Sequence, residues 1–398
     1  MNTHEYLFDD SPADALAKCI GTSYLREQPL HVVKATNGMV LPCKPSAEPV
    51  WGLGGCISSD GAFIDESADD IRDTRIFGGR YEYDEAGIAE MDESVIYMGH
   101  VTGHWGNFLI DQIARLWYVL EKPIQCQIAY CGIGFKPNTF GPSTHNGFDF
   151  LSLLGISPDQ LIDIRVPTRF REVVVPELAF IPGRYYTDEY RTIYQMAVEN
   201  SLDEYASVYS KVYFTRRQLR RRKEVGEKRI ERLFSSNGFV VLSPERLSVK
   251  DQICCVHNCR ILASLEGTLA HNIVFAGEGI NQIILRKQSE ILSRQHLLNQ
   301  MMDAVTVYID VYREPLRGFP TTCDDGPFLI QYNDNLKCFA HDSGWVVARR
   351  CQLTEDLVDF SVYIYECFIG RYLHIAYDWL AQIPLLRRIY RYVKGCVC

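Results

Sequence analysis

Residues 212–285 alternate short apolar, β-branched runs with helix-length amphipathic segments, and few folds accommodate that alternation. The spacing predicts strands at 212–214 (VYF), 239–242 (FVVL), 260–265 (RILASL) and 281–285 (NQIIL). Between them it predicts helices at 226–237, at 249–258, and from Thr268 to Phe275. Ser248 can cap the second of these, with Asp251 in its first turn. Strands buried on both faces read as continuous apolar runs, and parallel strands need a crossover that is usually helical. The expectation is an α/β fold with a doubly wound parallel sheet in this region. Upstream the alternation is less regular: strand 95–98, helix 104–121, strand 124–131, helix 148–155, strand 160–166 and an apolar strand at 173–175. A long helix at 187–209 is expected to join the two halves, which makes a protein of two lobes with a cleft between them.

The predicted helix 104–121 has an unusual polar face. At about 100° per residue, His104, Asn107, Asp111 and Arg115 fall within roughly one quarter of the circumference. Trp105, Leu109, Ile110, Ile113, Leu116, Trp117 and Leu120 cover the other side. Ordinary surface helices carry Lys and Glu on the wet face. The stripe therefore favours a helix that lines a cleft, against the alternative of a solvated amphipathic helix.

In an open α/β sheet, ligands bind beyond the C-terminal ends of the strands. Three loops are expected there: 215–222 (TRRQLRRR), 243–247 (SPERL) and 264–268 (SLEGT). The first holds five arginines, and residues 211–232 together hold ten bases against three acids. The third has Gly267 and Thr268 opening a helix. Guanidinium forks and free helix-terminal amides suit a diphosphate. Neither G-x-G-x-x-G nor G-x-x-x-x-G-K-S/T occurs. A nucleoside diphosphate without a nicotinamide is the ligand class that remains; the alternative for the basic run is a solvated face.

Charge and composition exclude other classes. A net charge of −9 argues against nucleic acid as a partner. No run of about 18 apolar residues suggests a spanning helix, and the acidic start MNTHEYLFDDSPADALAK lacks a secretory pattern. The expectation is a cytoplasmic protein whose fourteen cysteines are reduced. Cys254, Cys255, His257 and Cys259 lack zinc-site spacing, and no metal is expected there.

Three blocks then resemble glycosyltransferase family 61. HWGNFLIDQIARLW (104–117) is similar to the family's H-W-x-x-F-L-x-D-x-x-x-R-L block. Residues 212–253 are similar to its Y-x-S/T-R segment, with a following Glu and a G-F-x-V-x-x-P-E element. ILASLEGTLAHNIVF (261–275) is similar to its I-x-G-x-H-G-A-x-x-x-N-x-x-F block. Asn107 stands where many relatives have a second His, and Glu266-Gly267-Thr268 replaces His-Gly-Ala. The resemblance implies two Rossmann-like lobes of GT-B type and an inverting transferase that needs no metal. It also implies a nucleotide-sugar donor, and, for the bacterial relatives, capsular or other surface polysaccharide, or a lipid-linked oligosaccharide, as acceptor.

On this basis 1–190 is expected to be the acceptor-side lobe, 191–300 the donor-binding lobe and 301–398 a C-terminal α/β appendage. An inverting transfer needs a general base for the acceptor hydroxyl and positive charge for the leaving diphosphate. His104 and Asp111 are the candidates for base: Asp111 is either the base itself or the group that orients His104. Asn107 and Arg115 complete the stripe as substrate contacts. Thr215, Arg216, Arg217 and Arg220 are assigned to the diphosphate. Glu227 either pairs with one of these arginines or is a first-turn acid. Glu245 is assigned to the ribose hydroxyls, and Glu266, Gly267, Thr268 and His271 to the donor. Alternative functions are a nucleotide-sugar epimerase or hydrolase on the same scaffold, or a non-catalytic subunit of a polysaccharide-synthesis complex. Residues 326–345 are expected to form a hairpin around Asn333-Asp334-Asn335. The aromatic, basic end at 372–398 either contacts the inner face of an anionic membrane or packs back across the lobes.

Overall fold

The structure, a computed structural model, describes residues 6–8, 18, 21–46, 51–71, 74–121, 126–132, 142–202, 209–218, 224–289, 292–313, 326–347 and 352–370. It is a mixed α/β protein built on two main sheets. The first contains β1 (Val32–Thr36), β2 (Met39–Pro45), β3 (Gly52–Ile57), β4 (Asp69–Ile71), β5 (Thr74–Phe77), β6 (Ala89–Val101), β7 (Gln127–Gly132), β8 (Leu161–Asp163) and β9 (Thr168–Pro176). Its order is β4-β5-β3-β2-β9-β6-β7-β8, with β1 also beside β9. The half formed by β9, β6, β7 and β8 is parallel. Strands β1 and β2 add to β9 antiparallel. β6 runs for 13 residues, well beyond the expected 95–98, because its polar first half pairs with β9 through a bulge.

After the short hairpin β10 (Phe180–Ile181) and β11 (Tyr185–Tyr186), the second sheet begins with β12 (Lys211–Phe214). The extended pair Glu224–Val225 (β13) follows, then β14 (Val240–Leu242), β15 (Ile261–Leu265), β16 (Asn281–Arg286) and β17 (Val305–Asp310). The order is β14-β12-β15-β16-β17, parallel throughout. This is the doubly wound order 2-1-3-4-5, with its reversal point between β12 and β15. The four expected strands are present. β17 lies beyond residue 300, so the sheet extends into the segment expected to be an appendage. The chain start also crosses over: the Tyr6 ring packs on Phe339 at 5.3 Å and its carbonyl accepts from Asp310 of β17 at 3.0 Å.

Two expected elements take other forms. Residues 326–345 are not a hairpin: β19 (Phe328–Ile330), which pairs with β18 (Tyr312–Arg313) and β13, is followed by the helix Asp334–Asp342. The Asn333 side chain accepts from the Leu336 amide at 3.1 Å, an N-cap, and Leu336, Phe339 and Ala340 turn inward at helical spacing. The helix expected at 104–121 is interrupted. It comprises one turn at Trp105–Asn107, a π turn at Phe108–Gln112 and a final turn at Trp117–Leu120. Carbonyls in the interruption are bonded elsewhere. Tyr190 donates to Ile110 and Tyr194 to Leu109, each at 2.7 Å, and the Ala179 amide donates to Ala114 at 2.9 Å. Both tyrosines come from the helix Asp188–Glu199, the described part of the expected connector.

That helix sits at the centre of the largest apolar cluster. The cluster runs from Ile96 and Ile110 through Tyr190 and Tyr194 to Phe275, Ile253 and Phe214, so the two sheets share a core.

Candidate functional site

A cavity of about 680 Å³ opens between the two sheets. Its walls from the first-sheet side include Asp69, His100, Thr102, His104, Gly106, Asn107, Asp111 and Gln112. Those from the second-sheet side include Gly267, Thr268, His271, Leu292 and Arg294. Thr268 stands just beyond the C-terminal end of β15, beside the reversal point of the sheet. The walls touch there: a Cβ added to Gly106 would lie 2.6 Å from Thr268 Oγ1 and 3.0 Å from its Cγ2. Only glycine permits that approach.

Six of the residues singled out in the sequence therefore share the cavity: His104, Asn107, Asp111, Gly267, Thr268 and His271. His104 is the N-cap of the turn Trp105–Asn107, and its Nδ1 accepts from the Asn107 amide at 3.3 Å. In the neutral ring the proton therefore sits on Nε2. Asp111 reaches across to Arg294, Oδ2 to Nη1 at 3.1 Å, while its Oδ1 is buried without a hydrogen-bond partner. Burial pushes the Asp111 carboxyl up, with Arg294 opposing. His271 is buried, bonded through Nδ1 to Gln295 at 2.7 Å, and driven down to about 3 by burial and by Arg294. It is a neutral side chain in the physiological range.

Other assigned residues lie off the cavity. Arg115 is a correction: it is 1% exposed and belongs to the core, where its guanidinium is fully engaged. Nη1 binds Asp69 Oδ1 at 2.7 Å, Nη2 binds the carbonyls of Glu66 and Ala68 at 2.7 and 2.6 Å, and Nε binds that of Pro176 at 3.1 Å. The π turn has rotated it out of the stripe. Arg217 is paired with Glu231, which also accepts from Thr215 Oγ1 at 2.6 Å. Arg216 lies 3.5 Å from Glu224, whose carboxylate also binds Lys287 at 3.0 Å. Burial opposes ionisation of Glu224, but Lys287 and Arg216 hold its carboxyl below the usual range. Glu227 pairs with neither arginine side chain. It is a buried first-turn acid that accepts from Tyr213 Oη at 3.2 Å, and burial with the adjacent Glu224 and Glu231 pushes it up to about 8.

Glu266 is buried, with Oε2 unpartnered, and burial raises it to about 7 against the pull of Arg286 and Lys287. Glu245 sits in the turn Pro244–Arg246, raised by burial, with Arg216 and Arg246 opposing. Arg220 lies outside the described residues, as does 371–398. Among the described residues, no three His, Cys, Asp or Glu side chains converge as a metal ligand set.

The structure adds three residues absent from the sequence-derived set. Arg294, from the helix Ser293–Met301, is the only arginine lining the cavity among the described residues. His100 is the penultimate residue of the long β6, and its Nδ1 is paired with Asp69 Oδ2. Burial works against the Asp69 charge, but His100 and Arg115 overcome it and hold the carboxyl at about 2. A signal for His100 existed in the repeated Gly-His pair, Gly99-His100 and Gly103-His104. Nothing local marked Asp69 or Arg294.

The family model described as Glycosyltransferase 61 matches residues 105–284. That span contains Gly106, Asn107, Asp111, Gly267, Thr268 and His271 of the cavity, the reversal point of the second sheet, and β12 to β15 with β16 as far as Ile284. No curated protein matches the chain.

Proposed function

Residues 105–284 belong to glycosyltransferase family 61, and from that premise we propose a specific transfer for this enzyme. As a glycosyltransferase it takes a sugar from a donor and passes it to a glycan acceptor. The proposed donor is a nucleoside diphosphate sugar, and the proposed transfer is inverting and needs no bound metal. The proposed acceptor is a hydroxyl of a surface or capsular polysaccharide, or of a lipid-linked glycan, met at a GT-B-type cleft between two Rossmann-like lobes. The proposed setting is the cytoplasm, with the C-terminal segment at the inner membrane face.

The observation that carries this reading is the cavity with two chemically different walls. On the second-sheet wall, Thr268 stands just beyond the C-terminal end of β15, where a doubly wound sheet takes its ligand, and Arg294 lines the same wall. Arg294 supplies the charge that a departing diphosphate requires. The first-sheet wall offers His104, Asn107, Asp111 and His100, groups that exchange protons and hydrogen bonds with a sugar hydroxyl. With its Nδ1 accepting a backbone amide, neutral His104 presents an Nε2–H donor, suited to an anionic oxygen. As the bond from the anomeric carbon to the diphosphate lengthens, positive character grows on the sugar and negative charge on the phosphate. Arg294 then exchanges its Asp111 partner for the phosphate.

The test is nucleoside diphosphate binding by EDTA-treated protein, read as a thermal shift with UDP, GDP and CDP. One of them should raise the midpoint, and Arg294→Ala should abolish the rise. Arg216→Ala should weaken it less, because Arg216 is already engaged by Glu224. Binding that needs added divalent metal would remove metal independence, and no shift with any nucleotide would remove the donor assignment.

A further inference from the structure

We propose that His100 is the general base of the transfer and that Asp69 and Arg115 are the residues that position it; this rests on the transferase reading above. His100 pairs through Nδ1 with the Asp69 carboxylate, an acceptor only, so the neutral ring keeps its proton on Nδ1 and its lone pair on Nε2. Among the described residues Nε2 has no hydrogen-bond partner, and the side chain lines the cavity. His104 has the opposite tautomer, because its Nδ1 accepts the Asn107 amide; its Nε2 donates and cannot take a proton. Asp111 Oδ2 is paired with Arg294 until the diphosphate takes that arginine, whereas His100 Nε2 faces the cavity with no partner to give up. One wall therefore carries a donor imidazole, a paired carboxylate and an acceptor imidazole.

The support behind His100 is built from the core outward. Arg115 is anchored on the carbonyls of Glu66, Ala68 and Pro176, which leaves Nη1 to hold Asp69 at 2.7 Å. Gly99 has φ +118°, and a Cβ there would come within 2.9 Å of Arg115 Nη1, so glycine precedes His100 to let the guanidinium approach. On its other side the imidazole lies against the Phe77 ring, centroids 4.0 Å apart and planes tilted by 31°. A buried arginine and a half-buried aspartate are costly to keep charged, and three backbone carbonyls spent on aiming one imidazole describe a preorganised base. The charged groups facing His100 are Asp69 and Arg115 behind it and Asp111 across the wall, with Arg294 and His104 beyond Asp111.

In the step, the acceptor oxygen forms its bond to the anomeric carbon as its proton passes to His100 Nε2. The bond from that carbon to the diphosphate oxygen breaks, and its electron pair leaves with the diphosphate. Asp69 stabilises the imidazolium that results. Wild-type and variant enzymes are compared on the nucleotide sugar, from a panel of UDP-, GDP- and CDP-sugars, that the wild type consumes, with water or added glycan as acceptor. His100→Gln should lower kcat by about 100-fold or more while nucleoside diphosphate binding and the thermal midpoint hold. His100→Ala should regain turnover with added imidazole. Asp69→Asn should lower kcat with the donor KM unchanged and displace the acid limb of the pH–rate profile. Wild-type kcat and pH profile in His100→Gln overturn the proposal while leaving the transferase reading intact. Absence of both nucleotide binding and turnover in the wild type overturns that reading, and the proposal with it.

Discussion

At the scale of single residues, the carboxyl groups of Glu224, Glu227 and Glu231 divide the charge near the reversal point. Glu224 and Glu231 are matched to Lys287, Arg216 and Arg217. Glu227, between them and enclosed, holds its proton up to about pH 8. A carboxylic acid with a folded pKa above its unfolded one costs nothing at low pH. Its penalty begins near pH 4.5 and is complete only above the folded value. Glu227→Gln should therefore raise the thermal midpoint, with a gain that grows from pH 5 to pH 8; a gain independent of pH would show that Glu227 is ionised in the fold. Asp69 obeys the opposite sign. Held at about 2 against an ordinary 3.8, it contributes stability above pH 4 that is lost as the pH falls toward 2. Replacing its partner is severe at neutral pH. Arg115→Met leaves a half-buried carboxylate with one cationic neighbour fewer and should cost about 3–5 kcal/mol in denaturant unfolding.

At the scale of elements, the segment Trp105–Leu120 shows what one-dimensional periodicity cannot carry. A regular helix would place His104, Asn107, Asp111 and Arg115 together on one stripe. The π turn at Phe108–Gln112 breaks the phase, leaves Asp111 on the cavity and sends Arg115 inward. Its cause lies some 80 residues away, in the hydroxyls of Tyr190 and Tyr194 that take the Ile110 and Leu109 carbonyls. Tyr190→Phe combined with Tyr194→Phe should destabilise by about 1–3 kcal/mol and lower turnover by displacing Asp111. Retained activity with that loss of stability would show that the turn does not set the site. By contrast, β12, β14, β15 and β16 were legible because parallel strands bury both faces and each needs a helix before the next. β17 was missed because its run, VTVYID, stands apart from the repeat that marks the others. Asn-Asp-Asn serves turns and N-caps equally well, so the sequence pattern points to a hairpin where the chain forms the helix Asp334–Asp342.

At the scale of the whole molecule, the cavity residues come from both sheets, and the set was only half readable. The resemblance located both walls, yet Asp69, His100 and Arg294 depend on contacts between distant segments. The far end of the chain gives a separate test. Leu357, Val358, Val362, Tyr365, Phe368 and Ile369 are exposed on the last described helical stretch, Gln352–Gly370, although no described helix is long and apolar enough to cross a membrane. If this end meets an anionic bilayer as proposed, the full chain should co-sediment with phosphatidylserine vesicles at low salt, and truncation after Gly370 should weaken that binding. Equal sedimentation of both forms would remove the C-terminal contact.

The approach of Gly106 to Thr268 has one more use. A Cβ on Gly106 would lie 2.6 Å from Thr268 Oγ1, so Gly106→Ala acts as a wedge between the two cavity walls. Such a variant would be propped ajar: its radius of gyration in solution scattering should exceed that of the parent, and added nucleotide should fail to shrink it. A single methyl becomes a spacer with which to trap the enzyme between binding and transfer.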